Sequence, residues 1–298
     1  MDMQRITNYL APRSVDEAVQ AMADGNATLF CGGTDLSPQT ESGVRRYAAT
    51  LLNLRRIEAL GGIETEGSEI RIGATTTVSE IRRNAALAQI APALVESAEH
   101  FASEQIRNAA SVGGNLCNAS PAGDLSPPLL VLDASVELAC WREGAVQTRR
   151  VPLERFFVAP GKTVKRPEEL LTAVVFERPA SDFASRFRKS GPRPALEIST
   201  VSLALGARVA DGKLTNVRVA MGSVAPTPLR ARQVEAALEG KAIDASALAA
   251  TVAAAAQNIA LLFSTRDVQT GNYHVYSVLV VLALFFNTYG KTAPVQQG

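Results

Sequence analysis

Two glycine pairs carry the residue types from which binding chemistry can be built. Gly32-Gly33 is followed by Thr34-Asp35, and Gly113-Gly114 is followed by Asn115. Glycine lacks a Cβ, so backbone amides beside it can come close to phosphate oxygens. It also takes positive φ values that turn successive N–H groups into one concave nest. Two such loops facing each other would hold a pyrophosphate from both sides. One Gly-Gly alone is more often only a tight turn, so the reading rests on the repetition. Neither loop is a known fingerprint: Gly32 begins no Gly-x-Gly-x-x-Gly, and Gly114 is followed by no Lys-Ser or Lys-Thr. A Rossmann site and a P-loop are both disfavoured.

Other chemistries find less support. His100 and His274 are the only histidines, and they lie far apart with no metal-ligand or nucleophile spacing. Ser120 and Ser126 have no Gly-x-Ser-x-Gly around them. Cys31, Cys117 and Cys140 are odd in number and show no Cys-x-x-Cys spacing. That pattern fits neither a disulfide framework nor a zinc or iron–sulfur site, and it suits a reducing, cytoplasmic setting. Thirty basic residues against 29 acidic ones leave a net charge of +1, without the basic footprint of a nucleic-acid binder. Met1-Asp2-Met3-Gln4-Arg5 leads into a polar segment, so no signal peptide is expected. The longest apolar run, Val275 to Phe286, is well short of the roughly 20 residues that span a bilayer.

The glycine pairs need elements to hold them. A length of 298 residues allows two domains. Ser14-Val15-Asp16-Glu17 matches a capping box and predicts a helix to Gly25. Ala27 to Cys31 then reads as a buried strand feeding the first glycine turn. Thr50 to Leu54 predicts a strand, Ile63 to Ile72 a hairpin, and Thr77 to about Ala86 a helix behind a second capping box. Ala91 to Ala102 is a further helix, with Pro92 near its start. Phe101 to Pro128 is rich in Gly, Ser, Asn and Pro and reads as a long loop holding a dinucleotide. Leu129 to Asp133 and Ser135 to Trp141 read as helix then strand, or as two strands. Leu170 to Phe176 is a strand, and the polar break from Glu177 to Asp182 marks a domain boundary. Beyond it, Thr200 to Ala210 and Leu214 to Met221 form a hairpin around Asp211-Gly212. Helices are predicted at Leu229 to Leu238, Asp244 to Leu262 and Tyr273 to Tyr289.

Leu29 to Leu36, Gln105-Ile106-Arg107-Asn108, Ser111 to Asp124 and Ala225-Pro226-Thr227-Pro228, taken in this order, resemble the FAD-binding subunits of the xanthine dehydrogenase and carbon monoxide dehydrogenase family, which are molybdenum hydroxylases. The resemblance implies an α+β fold. A two-subdomain FAD-binding domain of the vanillyl-alcohol-oxidase (PCMH) type would span residues 1–178, divided into about 1–56 and 57–178. A small α+β C-terminal domain, a three-stranded sheet with helices, would span 179–298. It also implies that Leu29, Phe30, Cys31, Gly32, Gly33, Thr34, Asp35 and Leu36 form one loop around the FAD pyrophosphate, and Ser111, Val112, Gly113, Gly114 and Asn115 the other. Phe101, Asp124, Leu170 and Lys189 match further FAD-contacting positions, the last two near the flavin ring. A carboxylate such as Asp124 can accept from a sugar or ribityl hydroxyl, and a cation near the ring would stabilise the anionic reduced flavin.

The expected function is that of an FAD-carrying electron-transfer subunit with no metal and no catalytic side chain of its own. Partners carrying molybdopterin (a large subunit) and [2Fe-2S] clusters (a small subunit) would complete a heterotrimer or its dimer. The lone Cys117 and the absence of an insertion after Asn115 argue against the extra cluster of hydroxybenzoyl-CoA reductases. Two alternatives are a self-sufficient flavin oxidase of the vanillyl-alcohol-oxidase type and a non-enzymatic nucleotide-binding assembly protein. The first needs an acid or base near the ring, and neither histidine falls near the glycine loops.

Overall fold

The protein is described by a computed structural model that covers residues 6–191 and 198–242. The helices predicted at Asp244 to Leu262 and Tyr273 to Tyr289, His274 and the apolar run 275–286 lie outside these residues. In chain order the elements begin β1 (Asn8–Leu10), α1 (Val15–Ala21), β2 (Ala27–Phe30), α2 (Leu36–Glu41), β3 (Thr50–Asn53), β4 (Ile63–Glu64), β5 (Glu69–Gly73) and α3 (Val78–Arg83). There follow α4 (Ala85–Ile90), α5 (Pro92–Glu99), α6 (Glu104–Ala109), α7 (Val112–Asn118), α8 (Ser126–Val131), β6 (Ser135–Arg142), β7 (Ala145–Pro152), β8 (Phe157–Ala159), β9 (Lys162–Thr163) and β10 (Leu170–Glu177). The remainder is β11 (Phe183–Ser190), β12 (Val201–Ala210), β13 (Lys213–Gly222), β14 (Leu229–Arg230) and α9 (Arg232–Leu238). The mixture is the expected α+β class.

The described residues divide into two compact units. One takes residues 6–83, 102–120 and 133–178; the other takes 84–101, 121–132, 179–191 and 198–242. In the first unit, β1 and β2 flank β3 in a parallel sheet. Parallel strands need crossover connections; α1 links β1 to β2 on the two edges, and α2 lies in the return from β2 to the central β3. Ser14 caps α1 by accepting from the Glu17 amide at 3.1 Å, and the Glu17 carboxylate answers by accepting from the Arg13 amide at 2.7 Å. The apolar face of α1 (Ala18, Val19, Met22) is buried with Leu52, Leu54, Ile57 and Leu60.

The second sheet of this unit is antiparallel, in the order β4-β5-β10-β6-β7. Its central strand β10 is buried from Leu170 to Phe176, which is why it reads as a continuous apolar run rather than an alternating one. Strand β7 has no such run. Its Arg149 and Arg150 break the apolar pattern, and the strand escapes sequence reasoning.

The stretch predicted as one long loop is instead three short helices, α6, α7 and α8. Ser103 and Ser111 cap the first two by accepting from the Ile106 and Gly114 amides. Residues that favour turns are also the best N-caps, so the composition could not separate a loop from a row of capped helical turns. Similarly, the helix predicted to run to Ala86 breaks at Asn84, whose side chain accepts from Leu87 N at 2.9 Å and starts α4.

In the second unit β11, β12 and β13 are the expected three long strands, and the two residues of β14 extend their edge. Asp211-Gly212 turns β12 into β13 with φ of +51° and +71°. Edge strand β11 is covered by α5, whose Glu96 carboxylate accepts from Phe187 N at 2.7 Å. Leu229 and Arg230, predicted as helix, pair with β13, so α9 begins at Arg232.

Candidate nucleotide site

Strand β2 delivers the chain to the first glycine loop. A Cβ on Gly32 would lie 1.9 Å from the carbonyl oxygen of Ala109, so no side chain fits where this turn passes the end of α6. Gly33 has φ of +70°, in the left-handed region that glycine occupies without strain. Among the described residues, the amides of Gly33, Thr34, Asp35 and Leu36 donate to no acceptor. They form a run of successive N–H groups at the mouth of a strand, a donor set suited to anionic oxygens.

The second loop is built differently. Val112 N donates to Thr76 O at 3.0 Å, Gly113 N to Ala74 O at 2.9 Å, and Asn115 N to Ser111 O at 2.9 Å. Gly114 N donates to Ser111 Oγ at 3.2 Å. Its amides are thus already engaged, and it offers no run of free N–H groups of the kind the first loop does. Gly113 is required by packing, since its Cβ would come within 2.8 Å of Ala74. Gly114 is exposed, and a Cβ there would meet only Ser111 Oγ, at 2.9 Å. The loop keeps one unanswered group: Asn115 Oδ1 is buried and has no hydrogen-bond partner. A buried carbonyl oxygen left unpaired is costly unless a donor meets it. The first loop therefore presents donors and the second an acceptor, a combination that fits a phosphate together with a hydroxyl or amino group. The residues present fit FAD on those grounds.

The two loops are tied at the C-terminal end of α7. There, Asn118 Nδ2 donates to Asp35 Oδ2 at 3.1 Å, and Asn118 Oδ1 accepts from Gln39 Nε2 at 3.0 Å. Burial pushes the Cys31 thiol above its ordinary range, against the opposing pull of Ser111 and Arg55, so it is held neutral rather than as a reactive thiolate. Burial raises the Cys117 thiol as well. Burial also raises the Asp35 carboxyl, with Arg45 pulling it down. Among the described residues no group of His, Cys, Asp and Glu could hold a metal ion, and no helix is long and apolar enough to cross a membrane.

The remaining predicted positions divide between the units. Leu170 begins β10 in the first unit and is 1% exposed, packed into the cluster of Ala18, Val19 and Leu52. Its side chain serves the core. Asp124 and Lys189 belong to the second unit, where Lys189 Nζ lies 2.8 Å from Asp124 Oδ2 and Ser199 Oγ donates to Asp124 Oδ1 at 2.6 Å. Burial pushes the Asp124 carboxyl up, while Lys189, Ser199 and His100 act the other way. Phe101 is half-buried and precedes Ala102, which has φ of +37°. His100 Nδ1 bonds the Glu96 carbonyl at 2.8 Å, a structural role for that histidine. Sequence reasoning missed Gln39, Asn118 and Ser199 as members of these constellations. Asn118 sits within the central motif, but nothing in the spacing of Gln39 or Ser199 marks them.

Comparison with known proteins bears on this geometry. Residues 3–178 match the family described as FAD binding domain in molybdopterin dehydrogenase, and residues 186–289 match the CO dehydrogenase flavoprotein C-terminal domain. The xanthine dehydrogenase FAD-binding subunit of Escherichia coli O157:H7 is 30% identical over 275 residues, covering 91% of this chain and 92% of that protein. The carbon monoxide dehydrogenase medium chain of Hydrogenophaga pseudoflava is 30% identical over 251 residues, 83% of this chain and 85% of its own. A solved structure of carbon monoxide dehydrogenase from Hydrogenophaga pseudoflava, lacking the Mo-pyranopterin moiety of its cofactor, aligns with a TM-score of 0.84 and 28% identity over 93% of this chain and 96% of that one.

Proposed function

We propose a function from the premise that this chain belongs to the family of the FAD binding domain in molybdopterin dehydrogenase. It is an oxidoreductase subunit whose FAD-binding domain leaves the redox chemistry to the cofactor; bound FAD supplies an acceptor for electrons that arrive one at a time and leave singly or in pairs. The chain's own residues bind and orient it. The amides of Gly33, Thr34, Asp35 and Leu36 meet the diphosphate oxygens, and Asn115 Oδ1 takes a hydroxyl or amino proton elsewhere on the dinucleotide. Gly32 holds the first loop against Ala109, and Gly113 holds the second against Ala74. The resemblance adds Phe101, Asp124 and Lys189 as flavin contacts, with Leu170 contributing through its backbone, because its side chain is buried in the core. The domains are taken as 1–178, with subdomains about 1–56 and 57–178, and 179–298.

In this reading electrons reach the flavin from [2Fe-2S] clusters of a small partner subunit. They originate at the molybdopterin site of a large partner, where a heterocycle or aldehyde is hydroxylated, and they pass to an external acceptor. The three chains assemble as a heterotrimer or its dimer in the cytoplasm. The observation that carries the proposal is the run of four amides without acceptors in the first loop, together with a buried, unpaired Asn115 Oδ1 in the second.

The test is direct. Gently purified protein should show flavin absorbance, or take up added FAD with quenching of its fluorescence, and should co-purify with an iron–sulfur and a molybdopterin subunit. Protein that neither holds nor takes up FAD would refute the binding assignment. A flavoprotein that oxidises a substrate unaided would refute the electron-transfer role.

A further inference from the structure

The bridge at the far end of α7 is the strongest feature outside the glycines themselves. Asn118 uses both ends of its amide: Nδ2 donates to Asp35 Oδ2 at 3.1 Å, and Oδ1 accepts from Gln39 Nε2 at 3.0 Å. Both partners belong to the first loop and the helix it opens. Asp35 precedes α2 without capping it, since no side-chain cap bond is formed there. Its carboxylate is therefore not held by its own helix. The bond from Asn118 occupies one carboxylate oxygen and fixes the direction of the other.

We propose that Asn118 is a positioning residue for the dinucleotide: it orients the Asp35 carboxylate and holds the amide run Gly33–Leu36 in register with the second glycine loop. This rests on the FAD-binding reading above and deepens it. The physical content is preorganisation. Four amides without acceptors serve a ligand best if the loop carrying them does not have to be ordered by that ligand. The close packing of Gly32 on the Ala109 carbonyl fixes the strand end of that loop, and Asn118 fixes the other.

The test exploits charge. In Asn118→Asp the shape is retained, but a second carboxylate faces Asp35. Two carboxylates sharing one site repel unless a proton lies between them. The charged groups acting on Asp35 and on neighbouring Cys117 are Arg45 and Lys165, both cationic, so neither supplies a competing acidic titration. FAD is removed from the full-length protein, or from the complex if the chain is obtained only in that form. Binding of FAD, and of ADP as a flavin-free probe, is then followed by fluorescence and calorimetry from pH 5 to pH 8.5, with the thermal midpoint of each apo protein measured alongside.

The expected result is that Asn118→Asp binds both ligands about tenfold more weakly than wild type above pH 7 and recovers toward pH 5, while wild type stays flat. Gln39→Ala, which removes only the support for Asn118, should weaken binding about threefold without pH dependence and keeps the test open if N118D does not fold. The proposal is overturned if folded N118D binds FAD as tightly as wild type at every pH. It is also overturned if folded Q39A binds as wild type does, or if a lowered thermal midpoint is the only change in either variant. Wild type that binds no FAD would overturn the underlying reading and this one with it.

Discussion

Lys189 Nζ lies 2.8 Å from Asp124 Oδ2, and the two side chains are only 4% and 8% exposed. They form an ion pair, and Ser199 fills the second carboxylate oxygen. Removing one member strands the other charge away from water. Lys189→Met should therefore cost about 3–5 kcal/mol, whereas Lys189→Met combined with Asp124→Asn should cost markedly less. The sign of the pH dependence follows. Burial already raises the Asp124 carboxyl, and without the cation it rises further. A carboxyl raised in the fold favours the protonated form, so the loss of stability of K189M relative to wild type is smallest near pH 4 and grows as pH climbs toward 7. Urea denaturation followed by circular dichroism at several pH values checks both statements. A double variant whose loss equals the sum of the losses of Lys189→Met and Asp124→Asn measured singly would show that the pair is not coupled.

Two glycines that look alike in the sequence should respond in opposite ways. Gly32→Ala places a methyl group 1.9 Å from the Ala109 carbonyl oxygen, where backbone must move. This variant should lose FAD through displacement of the loop and should also lose stability. Gly114→Ala meets only Ser111 Oγ, and inside α7 alanine is a better helix former by about 1 kcal/mol. It should fold at least as well as wild type, and Gly114→Val should fold while failing to retain flavin. Flavin content measured against thermal midpoint separates the two behaviours. A folded G114V with full flavin content would remove Gly114 from the site.

Much of the fold was legible because its signals are local. Ser14 with Glu17, Asn84 with Leu87 and Asp211 with Gly212 act within a few residues. Even so, the chemistry of Asn84 was read as helix continuation. The glycine loops were legible as loops, but not their asymmetry. Whether the amides after Ser111 are available depends on Thr76 and Ala74, which the chain brings in from more than thirty residues away. The same holds for Asn118, whose partners Asp35 and Gln39 lie 83 and 79 residues distant. Spacing within a motif reports turn geometry, while the fate of each donor is settled by strands that arrive later.

Acid should weaken the first unit through Glu169. Its side chain is 2% exposed and accepts from Arg149 Nε at 2.6 Å, from Arg149 Nη2 at 2.8 Å and from Arg166 N at 2.7 Å. Burial alone would raise this carboxyl, but the Arg149 pair and the Arg166 amide together hold it below its ordinary range. A depressed carboxyl contributes stability above its unfolded value, about pH 4.3, and loses it as pH falls through the folded value. Glu169→Gln should cost about 2 kcal/mol at pH 7 and little at pH 3. A cost independent of pH would mean that the pair contributes only through packing.

The turn between β6 and β7 offers the last test. Glu143 and Gly144 have φ of +52° and +77°, so both central residues of this two-residue hairpin are left-handed. That is the geometry for which Asn-Gly is favoured, because a short polar side chain tolerates the left-handed region better than a long one. No charged partner of Glu143 is found among the described ion pairs that would be forfeited. Glu143→Asn should stabilise the protein by about 0.5 kcal/mol, and Glu143→Val should destabilise it by about 1 kcal/mol, since a β-branched residue is strained at positive φ. Paired urea titrations of the three proteins at pH 7 decide the matter; a Val variant as stable as wild type would show that the turn relaxes out of the left-handed region at no cost.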